Sequence, residues 1–225
     1  MNSLRIERFT GIFAVLCIGV AGMCNAAAEP SAKPAEKPAI GAPAAASTLD
    51  NTKTACLAEM AAKARYEAFA AKAAAEGYKS VAVLFRATAA SQEILIKKRA
   101  AAIAKMGGEA PAFKLATKPE VKSTKENLEA ALAADIGEKN TKYAAFAKQA
   151  EADKNTGAVY AFKGAVAAET EYVKFFKQAL ADLSGWKAEG KTFSVCEVCS
   201  FLVMGSPPAT CPVCAAPREK FIRIK

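Results

Sequence analysis

The strongest constraint on the fold of this chain is a set of four cysteines near its C-terminus. They lie in the stretch CEVCSFLVMGSPPATCPVC, with the spacing C-x2-C-x11-C-x2-C. Each C-x-x-C can bend back as a knuckle whose two sulfurs face one metal, and two such knuckles supply a tetrahedral four-sulfur shell. The spacing therefore predicts a metal site with the ligands Cys196, Cys199, Cys211 and Cys214.

The identity of this site has three interpretations. The segment from Phe193 onward is too short to fold on a core of its own, so bound metal should supply much of its stability. Disulfides would suit an exported protein, although neighbouring C-x-x-C pairs more often mark metal or redox chemistry. Zinc and a single iron that cycles between the ferric and ferrous states both suit four sulfurs, and ligand type alone does not separate them.

The N-terminus predicts export. Arg5 and Arg8 precede an apolar run from Gly11 to Cys24, and Ala26-Ala27-Ala28 offers an A-x-A cleavage site. We therefore predict a signal peptide over residues 1–28 and a periplasmic protein with no membrane span after cleavage. The run is short for a bilayer, and an uncleaved N-terminal anchor is the alternative.

The net charge of +9 does not indicate a nucleic-acid partner. Its excess is mostly lysine spread along helical segments and interleaved with Glu and Asp. This pattern is typical of solvated helix faces. The absence of histidine from the whole chain also excludes any site that needs an imidazole.

Helix signals predict an architecture of two helical hairpins. Residues 29–47 are rich in Ala, Pro and Lys and read as an extended linker. Four long helices follow over residues 48–185, with stops at Gly77 and Gly107, and a capping box at Ser123 opens the third. One long connection, GGEAPAFKLATKPEVK, joins the second helix to the third. Two hairpins joined by one crossover define a ferritin-like four-helix bundle.

An internal repeat relates the two hairpins. YEAFAAKA at Tyr66 recurs as YAAFAKQA at Tyr143, 77 residues later, and Phe85 recurs as Phe162 at the same offset. We therefore expect two similar helix pairs related by pseudo-symmetry.

From Thr48 to Lys225 the chain resembles the rubrerythrin family. The bundle motifs are LAEMAAKARYEAFA, EGYKSVAVLFRATA, YAAFAKQA and FKGAVAAE, and the C-terminal motif is CPVCAAPREKF. The resemblance implies a mainly α protein whose ferritin-like bundle is followed, over residues 186–225, by a rubredoxin-like domain with short β-strands. It also implies iron in the four-cysteine site, a di-iron centre in the bundle that reduces peroxide, and a homodimer.

Carrying the family's di-iron ligands over residue by residue gives an incomplete set. Four positions keep a carboxylate: Glu59, Asp135, Glu138 and Glu169. Three do not: Gln92, Leu95 and Tyr172. Oxygen donors without an imidazole suit Mg, Ca or Mn better than a pair of irons. Alternatively, the acids pair with basic groups such as Lys63 or Lys139.

The sequence also predicts the roles of several other residues near these sites. Leu95 and Tyr172 should fill core volume left by the ligands, and Cys56 should be a small buried side chain. Ser200 and Ala215 stand where rubredoxins commonly have glycine. Glycine tolerates the positive φ that lets a backbone N–H point at sulfur, and serine and alanine can adopt it at some cost. Hydrogen bonds to sulfur raise the reduction potential, so this departure from the family leaves the potential open.

Three functions follow from these features. The first is an exported electron-transfer protein with one iron in the four-cysteine site and an unidentified redox partner protein. The second is an oxidoreductase of the family's peroxide-reducing type, with metal on Glu59, Asp135, Glu138 and Glu169. The third is a non-redox protein with a structural zinc ribbon and a helical interaction surface.

Overall fold

The computed structural model describes residues 46–114 and 117–225, without the side chains of residues 138–140. The predicted signal peptide and nearly all of the predicted linker lie outside these ranges. No helix within the described residues is long and apolar enough to cross a membrane.

The first helical hairpin consists of α1 (Thr48–Ala75) and α2 (Lys79–Lys105). The hydroxyl of Ser47 caps the start of α1 by accepting the N–H of Asp50. The predicted turn between the helices is confirmed: Gly77 has a φ of +78°, which a residue without a Cβ adopts at little cost.

The third helix of the bundle is interrupted by a π-helical turn. It begins as α3 (Thr124–Gly137), continues through the turn Glu138–Tyr143 and ends as α4 (Ala144–Ala152). The predicted capping box is present, because Glu126 accepts the backbone N–H of Ser123 at 3.2 Å and donates its own N–H to the Ser123 hydroxyl. A π-helical turn contains one residue more than an α-helical turn, so it shifts every later side chain around the helix.

The second hairpin is closed by α5 (Thr156–Ala181). Its first turn is capped by the side chain of Asn155, which accepts the N–H of Ala158 at 3.0 Å. The helix ends before Gly185, the predicted stop, and a short 3-10 turn (Ser184–Trp186) leads out of the bundle.

A small three-stranded sheet follows the bundle. Its strands are β1 (Phe193–Cys196), β2 (Leu202–Met204) and β3 (Phe221–Ile224). The strand order is β2-β1-β3 and both pairings are antiparallel. The first knuckle therefore connects β1 to β2, and the second lies between β2 and β3.

The predicted pseudo-symmetry is confirmed by the aromatic rings of the two hairpins. The ring centroids of Tyr66 and Phe85 lie 6.1 Å apart, and those of Tyr143 and Phe162 also lie 6.1 Å apart. All four side chains are fully buried. The repeated residues thus make the same contact in both halves of the bundle.

The bundle and the sheet share one hydrophobic core. Phe193, Val195 and Leu202 of the sheet are fully buried in the cluster that also contains the bundle side chains. The rings of Phe175 in α5 and Phe193 in β1 meet edge to face with centroids 5.3 Å apart. Burial of such a side chain contributes about 1.5–3 kcal/mol. The small domain therefore shares the core of the bundle, and the stability expected from bound metal adds to this packing.

Candidate metal centres

The four cysteines converge on one point. The Sγ atoms of Cys196 and Cys214 are 3.7 Å apart, those of Cys199 and Cys211 are 3.5 Å apart, and all four lie within 4.8 Å of one another. A tetrahedron of sulfurs with 2.3 Å bonds to a central metal has edges of about 3.8 Å. None of the five cysteines in the described ranges forms a disulfide. The sulfurs therefore have the spacing of a metal-binding shell.

Two knuckles of the same backbone geometry present these sulfurs. Ser200 donates its N–H to the carbonyl of Cys196 at 2.8 Å, and Ala215 donates to Cys211 at 2.9 Å. The first cysteine of each knuckle also donates its N–H to the carbonyl five residues further on, at 2.9 and 2.7 Å. Each C-x-x-C is thus closed by local backbone bonds before any long-range contact is needed.

The residue after each knuckle's second cysteine has a positive φ. The angle is 68° at Ser200 and 57° at Ala215. A left-handed conformation costs a residue with a Cβ about 1–2 kcal/mol. In return, the chain turns so that the N–H of Phe201 donates to the sulfur of Cys199.

Burial and backbone donors act on the thiols in opposite directions. Burial raises the pKa of Cys196 to about 11 and also raises the pKa of Cys199, where the N–H of Phe201 opposes it. Burial likewise acts to raise the pKa of Cys211, but two backbone N–H groups of its knuckle and the thiols of Cys199 and Cys214 together outweigh it, and the pKa is lowered. Four sulfurs this close need a cation to become thiolates together, so metal loading should release protons.

The bundle centre holds three buried carboxylates around one tyrosine. Glu59, Asp135 and Glu169 are each at most 2% exposed. Burial raises the pKa of Tyr172 well above its ordinary value, and the charges of the three carboxylates add to this rise. Tyr172 is therefore within electrostatic reach of all three acids.

Two further tyrosines contact these carboxylates. Tyr66 donates its hydroxyl to Asp135 Oδ1 at 2.5 Å, and Tyr143 donates to Glu59 Oε1 at 3.4 Å. Glu59 precedes Tyr66 by seven positions, whereas Asp135 precedes Tyr143 by eight. The π-helical turn that ends at Tyr143 accounts for the extra residue. With it, Asp135 and Tyr143 lie on the same face of their helix, as Glu59 and Tyr66 do on theirs.

A buried arginine that the sequence analysis missed also reaches the centre. Arg99 Nε lies 3.1 Å from Glu59 Oε1, and both side chains are 1% exposed. The guanidinium carbon lies 4.3 Å from the ring centroid of Phe162. Arg99 follows Leu95 by one helical turn on α2, so spacing along that face could have indicated it.

The basic partners suggested from the sequence lie elsewhere or outside the described side chains. Lys63 contacts Glu67 at 3.1 Å and Glu93 at 3.5 Å, in partly exposed pairs on the bundle surface. Lys139 belongs to the residues whose side chains are not described, as does the candidate ligand Glu138.

The bundle residues do not fit a pair of irons. The three positions without a carboxylate, Gln92, Leu95 and Tyr172, are at most 2% exposed and fill the core, as expected for the last two. Cys56 is buried and free, also as expected. Among the described residues, the four cysteines are the one group whose ligand atoms come together for an ion. With no histidine in the chain, the nitrogen donors of a di-iron centre are missing.

Fold and site together define a class of protein: a four-helix bundle of ferritin-like architecture joined to a small four-cysteine metal domain. Models of two families match the two parts. The "Rubrerythrin" family matches residues 50–180, and the "Rubrerythrin, rubredoxin-like domain" family matches residues 195–222. The chain belongs to the rubrerythrin family. It is a rubrerythrin-like iron-binding protein with a four-cysteine cluster.

Individual relatives cover both parts of the chain. Nigerythrin of Nitratidesulfovibrio vulgaris is 33% identical over 180 residues, which are 79% of this chain and 87% of that protein. Rubrerythrin-1 of Clostridium acetobutylicum is 29% identical over 180 residues, 77% of this chain and 92% of its own. The structure of fully reduced, all-ferrous nigerythrin superimposes with a TM-score of 0.73 over 86% of this chain and 94% of that chain, at 31% identity. The mainly α fold with a rubredoxin-like domain, predicted from the sequence, is confirmed.

Proposed function

We propose that this protein is an exported one-electron carrier whose redox metal is a single iron held by Cys196, Cys199, Cys211 and Cys214. The observation that carries the proposal is the tetrahedral spacing of the four sulfurs, with all four within 4.8 Å of one another. Iron in such a shell supplies one-electron chemistry between its ferric and ferrous states. The chain's own part is to hold four thiolates and donate backbone N–H groups to them.

The bundle then acts as a scaffold rather than as the destination of the electron. Its centre lacks the donors of a di-iron site, so a second protein is needed to accept or supply electrons. Val198 and Val213 occupy equivalent positions in the two knuckles and are 38% and 40% exposed. They border a surface groove that Cys199, Cys211 and Cys214 also line. The knuckles are therefore accessible to a partner from the solvent.

The metal content of the purified protein tests the redox role. We expect about one iron per chain, little zinc, thiolate-to-iron charge-transfer bands, and reversible bleaching by one electron per chain. Colourless protein with one zinc would contradict the carrier function and favour the zinc ribbon. About three irons per chain, with consumption of peroxide by the reduced protein, would contradict the scaffold role and favour the peroxide reductase.

Cell fractionation tests export independently of the metal. The mature protein should be in the periplasmic fraction, and mass spectrometry should give an N-terminus after Ala28. Replacement of Arg5 and Arg8 by Glu should reduce export, because the positively charged start of a signal peptide is part of its signal. Protein with an intact N-terminus in the cytoplasm would contradict export, and intact protein in the membrane fraction would indicate an uncleaved anchor.

A further inference from the structure

We propose that the guanidinium of Arg99 balances the charge of Glu59 in the bundle centre, where a metal ion would otherwise be required, and that it keeps divalent ions out. This assignment does not depend on which metal the four cysteines hold. The bundle centre is where this chain departs from the family's ligand pattern.

The first support is the contact between Arg99 and Glu59. Their charged groups meet at 3.1 Å, and both side chains are 1% exposed. A carboxylate removed from water in this way requires a cation or a proton. Glu59 is also one of the positions that correspond to the family's metal ligands, so the guanidinium contacts an oxygen atom that a metal would need.

The second support is the pseudo-symmetry of the bundle. Arg99 and Phe176 are separated by 77 residues, the offset that also relates Tyr66 to Tyr143 and Phe85 to Phe162. Each half of the centre therefore contains one three-membered cluster. The clusters are Tyr66, Phe85 and Phe176 in one half, and Tyr143, Phe162 and Arg99 in the other.

Distances within the two clusters show that the guanidinium of Arg99 occupies the position that the ring of Phe176 occupies in the other cluster. The Phe176 centroid lies 6.0 Å from the Tyr66 ring and 5.6 Å from the Phe85 ring. The guanidinium carbon of Arg99 lies 5.6 Å from the Tyr143 ring and 4.3 Å from the Phe162 ring. A planar guanidinium suits such a position, because it stacks on aromatic faces while its edge donates to a carboxylate.

The choice of arginine makes the charge permanent. A guanidinium does not lose its proton in a protein, whereas a buried lysine can do so. A divalent ion on the oxygens of Glu59 would lie next to this fixed positive charge and be repelled by it. The charge of Glu59 is thus balanced without metal, and a divalent ion on its oxygens is disfavoured.

Three variants of the purified protein, with the cysteine site already filled, test the proposal. Arg99→Met keeps the length of the side chain and removes its charge. Arg86→Met is the matched control, because Arg86 lies on the same helix but is exposed and donates to the backbone oxygen of Lys225. The third variant combines Arg99→Met with Glu59→Gln, which removes both charges. Each is measured for its melting temperature and for bound Mn²⁺ after equilibration and desalting.

We expect the wild type and Arg86→Met to bind no Mn²⁺ in addition to the metal of the cysteine site. Arg99→Met should melt several degrees lower, bind about one Mn²⁺ per chain and recover most of its loss when Mn²⁺ is present. The double variant should melt higher than Arg99→Met and lose the response to Mn²⁺, because the carboxylate charge is gone.

Three results would overturn the assignment. Additional Mn²⁺ or iron bound by the wild type would show that Arg99 does not exclude metal. An Arg99→Met variant that binds no Mn²⁺ would show that the guanidinium does not stand in for an ion. A double variant no more stable than Arg99→Met would show that Arg99 acts only by packing against Phe162.

Discussion

The four-cysteine domain and the bundle centre both bring buried, potentially negative groups together, but they balance them in different ways. In the small domain, backbone N–H groups point at the sulfurs, and the four ligands come from two short knuckles. In the bundle, carboxylates from separate helices meet tyrosines and a guanidinium. The ligands of the small domain depend on two short turns, so they are present or absent together. Ligands on separate helices can be substituted one at a time without loss of the fold.

This contrast predicts that loss of a single cysteine has the largest effect on metal. Replacement of Cys211 by Ser should weaken metal binding by about 100-fold or more and abolish the charge-transfer bands, because a hydroxyl is a poor substitute for thiolate. The helices should persist, since the core cluster around Tyr143 and Phe162 contains no residue of the small domain. Metal analysis and circular dichroism of the same sample measure both effects.

Cys56→Ala is the matched control for that experiment. Cys56 is fully buried and free, and it lies on α1 rather than in a knuckle. Its replacement should leave the metal content unchanged and cost no more than about 1–2 kcal/mol of stability. Retention of metal by Cys211→Ser would contradict its role as a ligand, and loss of the helices together with the metal would show that the bundle depends on the metal shell.

The same contrast explains how much of the molecule could be predicted from its sequence. The knuckles, the capping box at Ser123 and the turn at Gly77 depend on residues close together in the chain, and all three are present. The pairing of Arg99 with Glu59 joins residues 40 positions apart on two helices. No motif marks such a pair, because an arginine in an alanine-rich helix is usually exposed.

The repeat contained more information than its ring residues alone suggested. The offset of 77 places Arg99 opposite Phe176, a core position, and this could have indicated that Arg99 is buried. The π-helical turn is also visible in the sequence, because Asp135 and Tyr143 are eight positions apart whereas Glu59 and Tyr66 are seven apart. Neither signal gives the contact of Arg99 with Glu59, which depends on how the two hairpins pack.

A hydrogen-bonded connection between the two regions predicts the next largest effect. Ser91 of α2 donates to the carbonyl of Ser200 at 2.5 Å, so its hydroxyl oxygen accepts from Tyr172. The carbonyl of Ser200 and the N–H of Phe201 belong to the same peptide group, and this N–H donates to the sulfur of Cys199. A donor at one end of a peptide strengthens the hydrogen bond that its other end makes.

Replacement of Ser91 by Ala should therefore lower the reduction potential of the iron-loaded protein. The expected fall in reduction potential is roughly 10–40 mV, because one N–H···S hydrogen bond is weakened by a fraction of its strength. Thr88→Ala is the matched control, since its hydroxyl is buried on the same helix but donates to Leu84 of that helix. A potential that moves equally in both variants, or only in the control, would show that the bundle does not tune the site.

The smallest expected effect concerns backbone strain in the second knuckle. Ala215 is exposed and has a φ of 57°, so glycine should relieve strain there without loss of buried surface. After allowance for the greater freedom of glycine in the unfolded chain, Ala215→Gly should stabilise the metal-bound protein by about 0.5–1 kcal/mol. Ala209→Gly, in the exposed loop before the knuckle, has no positive φ to relieve and should be neutral or destabilising. Chemical denaturation of both variants gives the comparison. Equal losses of stability would mean that the knuckle holds its left-handed residue without strain, and that the metal shell rather than the local turn sets its geometry.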